Sequence, residues 1–234
     1  MTIDPVLLAV VNGRLEQIAD EMDATLFRSA FNPIIAEAHD ASHGIYHRST
    51  GDTLVQGSSG LPVFVGSMAG AVGLAIETMI ADSEQRGGEG SIDGAVASGA
   101  VRDGDVYCFN DPYRGGTHLN DVKMVRPFFR RGRIWCHLAS VGHFTDMGGN
   151  VPGNYNPAAR DTHQEGVLIP PMLLRRAGEI DPRVVDLVCS VSRQPVNAYG
   201  DLQAQLNALD LGHRRLVELL DEYGDETVAE VLDE

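Results

Sequence analysis

"VKMVRPFF" (residues 122–129), "RRGR" (130–133) and "IWCHLASVGH" (134–143) follow one another without interruption. Two strand-length apolar runs flank an Arg131-Gly132 pair, which is the pattern of a β-hairpin with a tight two-residue turn. Pro127 has no N–H to give to a ladder, so the first strand is expected at a sheet edge or at a bulge. With Arg131 and Gly132 central in the turn, Arg130 faces Arg133, Asn120 falls opposite His143, and Asp121 falls opposite Gly142. His118 lies two steps further out, beside the start of a long loop.

His118, Asp121 and His143 therefore converge at the open end of one hairpin. Cross-strand neighbours lie about 4.5–5.5 Å apart and diagonal ones about 7–8 Å, a gap that imidazole and carboxylate arms can close on one ion. Two histidines and a carboxylate form the ligand set of open catalytic sites for zinc, manganese or iron. The competing reading is a hydrated edge histidine, with Asn120 and Asp121 serving as turn residues. Asp146 reads either as an acceptor that orients His143 or as a turn former in a glycine-rich loop. His39, His43 and His47 are spaced by four; strand alternation puts them on one face, and they read as partly solvated histidines. Cys136 and His137 are adjacent on a strand and face opposite sides, so they cannot pair as thiolate and imidazole. "RGG" at 114–116 is too short for a phosphate cradle, and neither GxGxxG nor GxxxxGK[ST] occurs.

Outward from the hairpin, Asp4-Pro5 starts a long amphipathic helix carrying Val11, Leu15, Ile18, Met22 and Leu26, and Asn32-Pro33 ends it. "HGIYHRSTGDTLVQG" reads as two short strands joined by a turn at 49–52. Ser67 is read as the cap of a second helix through about Met79, followed by a mobile loop, "EQRGGEGS". Residues 105–109 form a short buried strand leading into "NDPYRGGTHLNDV" (110–122). From Phe144 to about Glu165 there is no periodicity, and the Gly, Pro and Asn chemistry predicts an ordered loop. Asp201 is read as the cap of a C-terminal helix carrying Leu202, Leu206, Leu209, Leu216 and Leu220, with Gly224 as its terminator; "DETVAEVLDE" begins another helix. The expected fold class is α+β: long N- and C-terminal helices packed on antiparallel hairpins, with a long ordered loop, as one domain over 1–234.

The composition is that of a globular chain, with 43% hydrophobic and 22% charged residues. A formal net charge of −15 argues against nucleic acid or an anionic membrane surface as partner. No uninterrupted apolar run approaches the roughly 20 residues of a membrane span, and the N-terminus lacks the basic start of a signal peptide. The three cysteines are few and far apart, so a reducing cytoplasm is the expected location.

Four stretches carry a resemblance: "NDPYRGGTHLNDV", "VGHFTDMGGNVPGNYNP", "EGVLIPP" and "GDLQAQLNALDLGHRRL". Together they resemble the hydantoinase B family, which includes subunits of N-methylhydantoinases and 5-oxoprolinases and the related subunits of acetone and acetophenone carboxylases. The similarity covers essentially the whole chain, which corresponds to the N-terminal portion of the family's usual length. The resemblance implies a divalent metal, zinc or manganese or iron, held by His118, Asp121 and His143, with Asp40 as a fourth ligand. Asn110, Asp111, Gly115, Gly116 and Asp146 are expected around those ligands or along the substrate loop. It further implies an ATP-binding, hydantoinase A-like partner in a hetero-oligomer, and hydrolytic opening of a cyclic amide or imide. A ketone carboxylase subunit and a non-catalytic assembly subunit are the alternatives.

Overall fold

Asp4 accepts a hydrogen bond from Val6 N at 2.9 Å and Pro5 takes the first helical position, starting α1 (Pro5–Ser29) as the capping pattern predicts. The computed structural model describes residues 4–233. Asn32 then caps a short α2 (Pro33–Ala36) through its bond from Ile34 N. In chain order there follow β1 (Ala41–His47), β2 (Thr53–Gln56), α3 (Val63–Gln85), α4 (Ile92–Ala97), β3 (Val106–Phe109), β4 (Asp121–Arg130) and β5 (Arg133–His143). A 3₁₀ turn (Thr162–Gln164), β6 (Met172–Arg176), β7 (Glu179–Ile180), α5 (Pro182–Val191), α6 (Pro195–Tyr223) and α7 (Asp225–Asp233) complete it.

The strands form one antiparallel sheet in the order β2-β1-β5-β4-β3-β6-β7, so the β4–β5 hairpin is its centre. Helices cover both faces. Val122, Met124, Phe128, Cys136 and Leu138 point towards α1, α5 and α6. Val125, Ile134, Ala139 and Val141 point towards α3 and α4. Burial on both faces is why β4 and β5 are apolar at consecutive positions instead of alternating. The fold is α+β, as the sequence predicts.

The hairpin turn is where the sequence places it. Arg131 (φ +52°) and Gly132 (φ +77°) both take the left-handed conformation that a type I′ turn demands. Two details differ. Pro127 is in a central strand, not at an edge; it lies two residues past Val125, the last β4 position paired with β3. The bulge is real but sits beside it: Phe128 pairs with Cys136 and Phe129 with Ile134, leaving Trp135 as the extra residue. Beyond that bulge the register moves by one, and Asp121, not Asn120, lies opposite His143.

Other expectations are corrected by packing. Helix α3 starts at Val63 behind Pro62, before Ser67, and runs to Gln85. It is long and apolar enough to cross a membrane by length and composition, which counting uninterrupted apolar runs overlooks. Here it covers the sheet with Phe64, Met68, Ala71, Val72 and Met79 buried. The segment expected to be mobile is a turn bonded back onto α3, with Gly88 N on Ser83 O at 2.9 Å, and Ser91 caps α4. Asp201 is not a cap: it lies inside α6, buried, and accepts from Phe31 N and Asn32 N at 2.8 and 3.2 Å. Gly224 ends α6 with φ +85°, as expected. Strands β6 and β7 and helix α4 are not announced by a periodic signal of their own, whereas α5 has an Asp181-Pro182 start and buried Val184, Val185 and Val188 at helical spacing.

Candidate metal centre

The open end of the hairpin is built from the turn that precedes β4. Gly115, at φ +79°, lets that turn lie directly on α3; a Cβ there would stand 2.3 Å from Ala71 N. Gly116 is equally confined, since its Cβ would meet Asp111 O at 2.3 Å. Asp111 closes a small turn by accepting from Tyr113 N at 2.9 Å. Asn110 is fully buried and ties three segments together, donating to Leu119 O and Val167 O and accepting from Ile169 N. These four residues shape and anchor the turn.

The anchored turn presents His118 and Asp121 to β5. Asp121 is fully buried, yet its carboxylate receives the Thr117 hydroxyl, His118 N at 3.2 Å, His118 Nδ1 at 3.0 Å and His143 Nδ1 at 2.8 Å. The two imidazole rings stand nearly perpendicular, with centroids 5.6 Å apart. Asp40 precedes β1, where its carbonyl accepts from His143 N at 3.0 Å, and its carboxylate lies 3.9 Å from His143 Nδ1. His118, Asp121 and His143 each offer a ligand atom within 4.8 Å of the others. Asp40 stands beside them.

Burial by itself would push the Asp121 carboxyl up. The hydrogen bonds from His118 and His143, helped by the Lys123 cation, outweigh it and hold that carboxyl well below the usual range. The same hydrogen bond, donated to Asp121, lifts His118 above its ordinary value, against burial. Asp40 moves the other way: burial raises it, and the neighbouring His143 only partly offsets that. Beneath the site Lys123 is fully buried, its Nζ donating to Asp121 O at 3.0 Å, and burial lowers it to about 8. The Nδ1 atoms of both rings face the Asp121 carboxylate, and an ion held there by Nδ1 would take the place of these two hydrogen bonds. A metal–nitrogen bond is about 2.0–2.1 Å, so ligand atoms this close need only small side-chain rotations to share one ion. The donor set fits a divalent cation.

A cavity of about 550 Å³ opens beside the two rings, walled by Ile34, Leu119, Asn154, Tyr155 and Glu165. The loop over it is ordered by Asp146, which accepts from Gly148 N and Gly153 N at 2.9 Å and pairs with Arg193 at 3.0 Å. All of Asp146's hydrogen bonds go to this loop and to Arg193, none to His143. Asn154, in the left-handed region at φ +63°, adds a second tie by accepting from Met147 N at 2.7 Å.

The histidine series spaced by four separates in three dimensions. His39 stacks on Phe27 with centroids 4.0 Å apart, and His47 bonds Thr50 Oγ1 at 2.9 Å. His43 is fully buried rather than solvated, with Nδ1 2.7 Å from Asp23 Oδ1 and Nε2 2.9 Å from Ser140 Oγ. The connectivity is that of a hydrolytic triad, but all three side chains are sealed in the core, away from any cleft. No local spacing signals this chain, because its members come from α1, β1 and β5.

Known proteins similar to this chain identify its family. The family model described as hydantoinase B/oxoprolinase matches residues 4–234. Caprolactamase subunit beta from Pseudomonas jessenii is 34% identical over 97% of this chain and 36% of its own length. A 5-oxoprolinase from Dictyostelium discoideum is 29% identical over 97% of this chain and 16% of its own. The crystal structure of the ATP-dependent caprolactamase from Pseudomonas jessenii superposes with a TM-score of 0.78, at 32% identity, over all of this chain and 37% of that one. The nucleotide-free acetone carboxylase structure shares the fold, with a TM-score of 0.83 at 20% identity. The chain spans little more than a third of the caprolactamase subunit. With a match from Asp4 to its last residue, the chain belongs to the hydantoinase B/oxoprolinase family.

Proposed function

We propose that the chain is the metal-bearing part of an ATP-dependent amidohydrolase that opens a small cyclic amide or imide, within a cytoplasmic hetero-oligomer whose partner binds ATP. The observation that carries the reading is the convergence of His118, Asp121 and His143 at the mouth of a cavity sized for a small ring. Support also comes from relatives named as a caprolactamase subunit and a 5-oxoprolinase. His118, Asp121 and His143, with Asp40 alongside, would hold zinc, manganese or iron. Such an ion supplies a Lewis acid and a bound water of lowered pKa. Asp121 stands between the two imidazoles and fixes their spacing. The carboxylate stays anionic because His118, His143 and Lys123 surround it. Tyr155, Leu119 and Ile34 give the cavity an apolar wall for the ring's methylenes, and Asn154 and Glu165 supply its polar wall.

The test is elemental analysis of the purified chain beside His118→Ala and His143→Ala, followed by ATP-coupled ring opening with the partner added. Near-stoichiometric metal in the parent, falling by at least about tenfold in each variant together with activity, is expected. A chain that binds no metal, or turnover that survives both substitutions, would overturn the proposal. Bicarbonate-dependent consumption of a ketone in place of ring opening would assign the carboxylase chemistry to the same site.

A further inference from the structure

The opposite end of the β4–β5 hairpin carries a second cleft, also of about 550 Å³. Asp121 and Arg130 mark the two ends of the ten-residue β4, so the cleft lies roughly 30 Å from the histidine site by strand rise. Its walls combine Arg48, Arg131, Arg133, Trp135, Leu54 and Leu232. Two of its other members, Arg130 and Asp225, neutralise each other at 2.9 Å, and Asp221 adds a second carboxylate to Arg130 at 2.7 Å. Arg48 is held by Asp93, and Arg131 shares Asp225 at 3.1 Å. Arg133 is exposed and forms no ion pair among the described residues. In a chain of net charge −15, that is an uncommitted guanidinium on a cleft wall.

Trp135 is the chain's one tryptophan and the extra residue of the bulge. A bulge re-aims the side chain it carries; here the ring packs against Phe128 edge-on, centroids 6.3 Å apart, while also lining the cleft. Arg131 adds a second guanidinium at the mouth, kept in a left-handed turn position where Asn or Gly is ordinarily favoured. A guanidinium beside an indole and aliphatic walls recognises an anion attached to a flat ring.

We propose that this cleft is a second ligand site, independent of the histidine site, which takes a ring-bearing organic anion: Arg133 meets the phosphate or carboxylate, and Trp135 covers the ring. Because Trp135 is the single tryptophan, its fluorescence reads the site directly. The whole chain would be titrated with adenosine monophosphate and with benzoate, using adenosine and inorganic phosphate as controls that each lack one half of the chemistry.

Saturable quenching by adenosine monophosphate or benzoate, at least about tenfold tighter than by either control and weakened about tenfold by Arg133→Ala, is expected; which of the two binds tighter assigns phosphate or carboxylate. Glu226→Gln, which removes a neighbouring negative charge from the lining, should tighten binding. No saturable response to either ring anion, an equal response to adenosine, an equal response to inorganic phosphate, or quenching unchanged in Arg133→Ala would each overturn the proposal. Arg133 is exposed, so its replacement leaves the core intact.

Discussion

Asp201 illustrates how a residue's role depends on what surrounds it. In sequence it stands before a leucine-rich helix, where an aspartate ordinarily caps; in the fold it is inside α6 and holds the backbone between α1 and α2 through Phe31 N and Asn32 N. Burial pushes its carboxyl up to about 6, against the two N–H donors that favour the anion. An unfolded aspartate titrates near about 3.9. The folded state therefore keeps its proton to higher pH, and the group's contribution to stability is largest below about pH 4 and falls as pH rises to about 6. Asp201→Asn should flatten that slope, removing up to about 3 kcal/mol of pH-dependent stability. Urea denaturation at a series of pH values measures it; an unchanged slope would show that Asp201 is not its source.

At the scale of elements, the loop from Phe144 to Glu165 owes its order to ionic and backbone ties more than to apolar burial. Burial would raise Asp146, but the N–H groups of Gly153 and Gly148 and the Arg193 guanidinium lower it below the ordinary carboxylate range. Arg193 also donates to the carbonyls of Gly148, Gly149 and Val151, closing the loop around one side chain. Arg193→Ala should leave the β4–β5 core intact while raising hydrogen exchange at Gly148 and Gly153 by about tenfold or more. Unaltered protection at those two amides would assign the order to Asn154 instead. The hairpin teaches a related lesson. Its turn was legible because a type I′ turn needs particular residues, but the bulge at Trp135 was not, and one extra residue decides which side chain faces His143.

Across the whole molecule, Asp23, His43 and Ser140 join α1, β1 and β5, and Gln205 on α6 extends the chain by donating to Ser140 Oγ at 3.2 Å and Val122 O at 3.0 Å. This buried network locks the helices of one layer to the strands that carry Asp40, Asp121 and His143. His43→Ala leaves the Asp23 carboxylate uncompensated in the core and should destabilise the fold by about 3 kcal/mol or more. Asp23→Ala with His43→Ala should cost clearly less than the sum of the single changes. Denaturant titration of the four proteins tests this, and strict additivity would mean that the pair is not energetically coupled.

The sequence by itself determined the turn, the presence of long N- and C-terminal helices, the α+β class and the meeting of His118, Asp121 and His143, because proline, glycine and amphipathic periodicity act locally. It also carried the family motifs around His118 and His143. Only the tertiary structure decided that helices cover both faces of the sheet, that Pro127 lies in a central strand, that Asp121 faces His143, and that His43 is sealed in the core. Those outcomes depend on strand order, on one bulged residue and on partners far away in the chain. Burial and register arise from long-range packing, which local spacing does not encode.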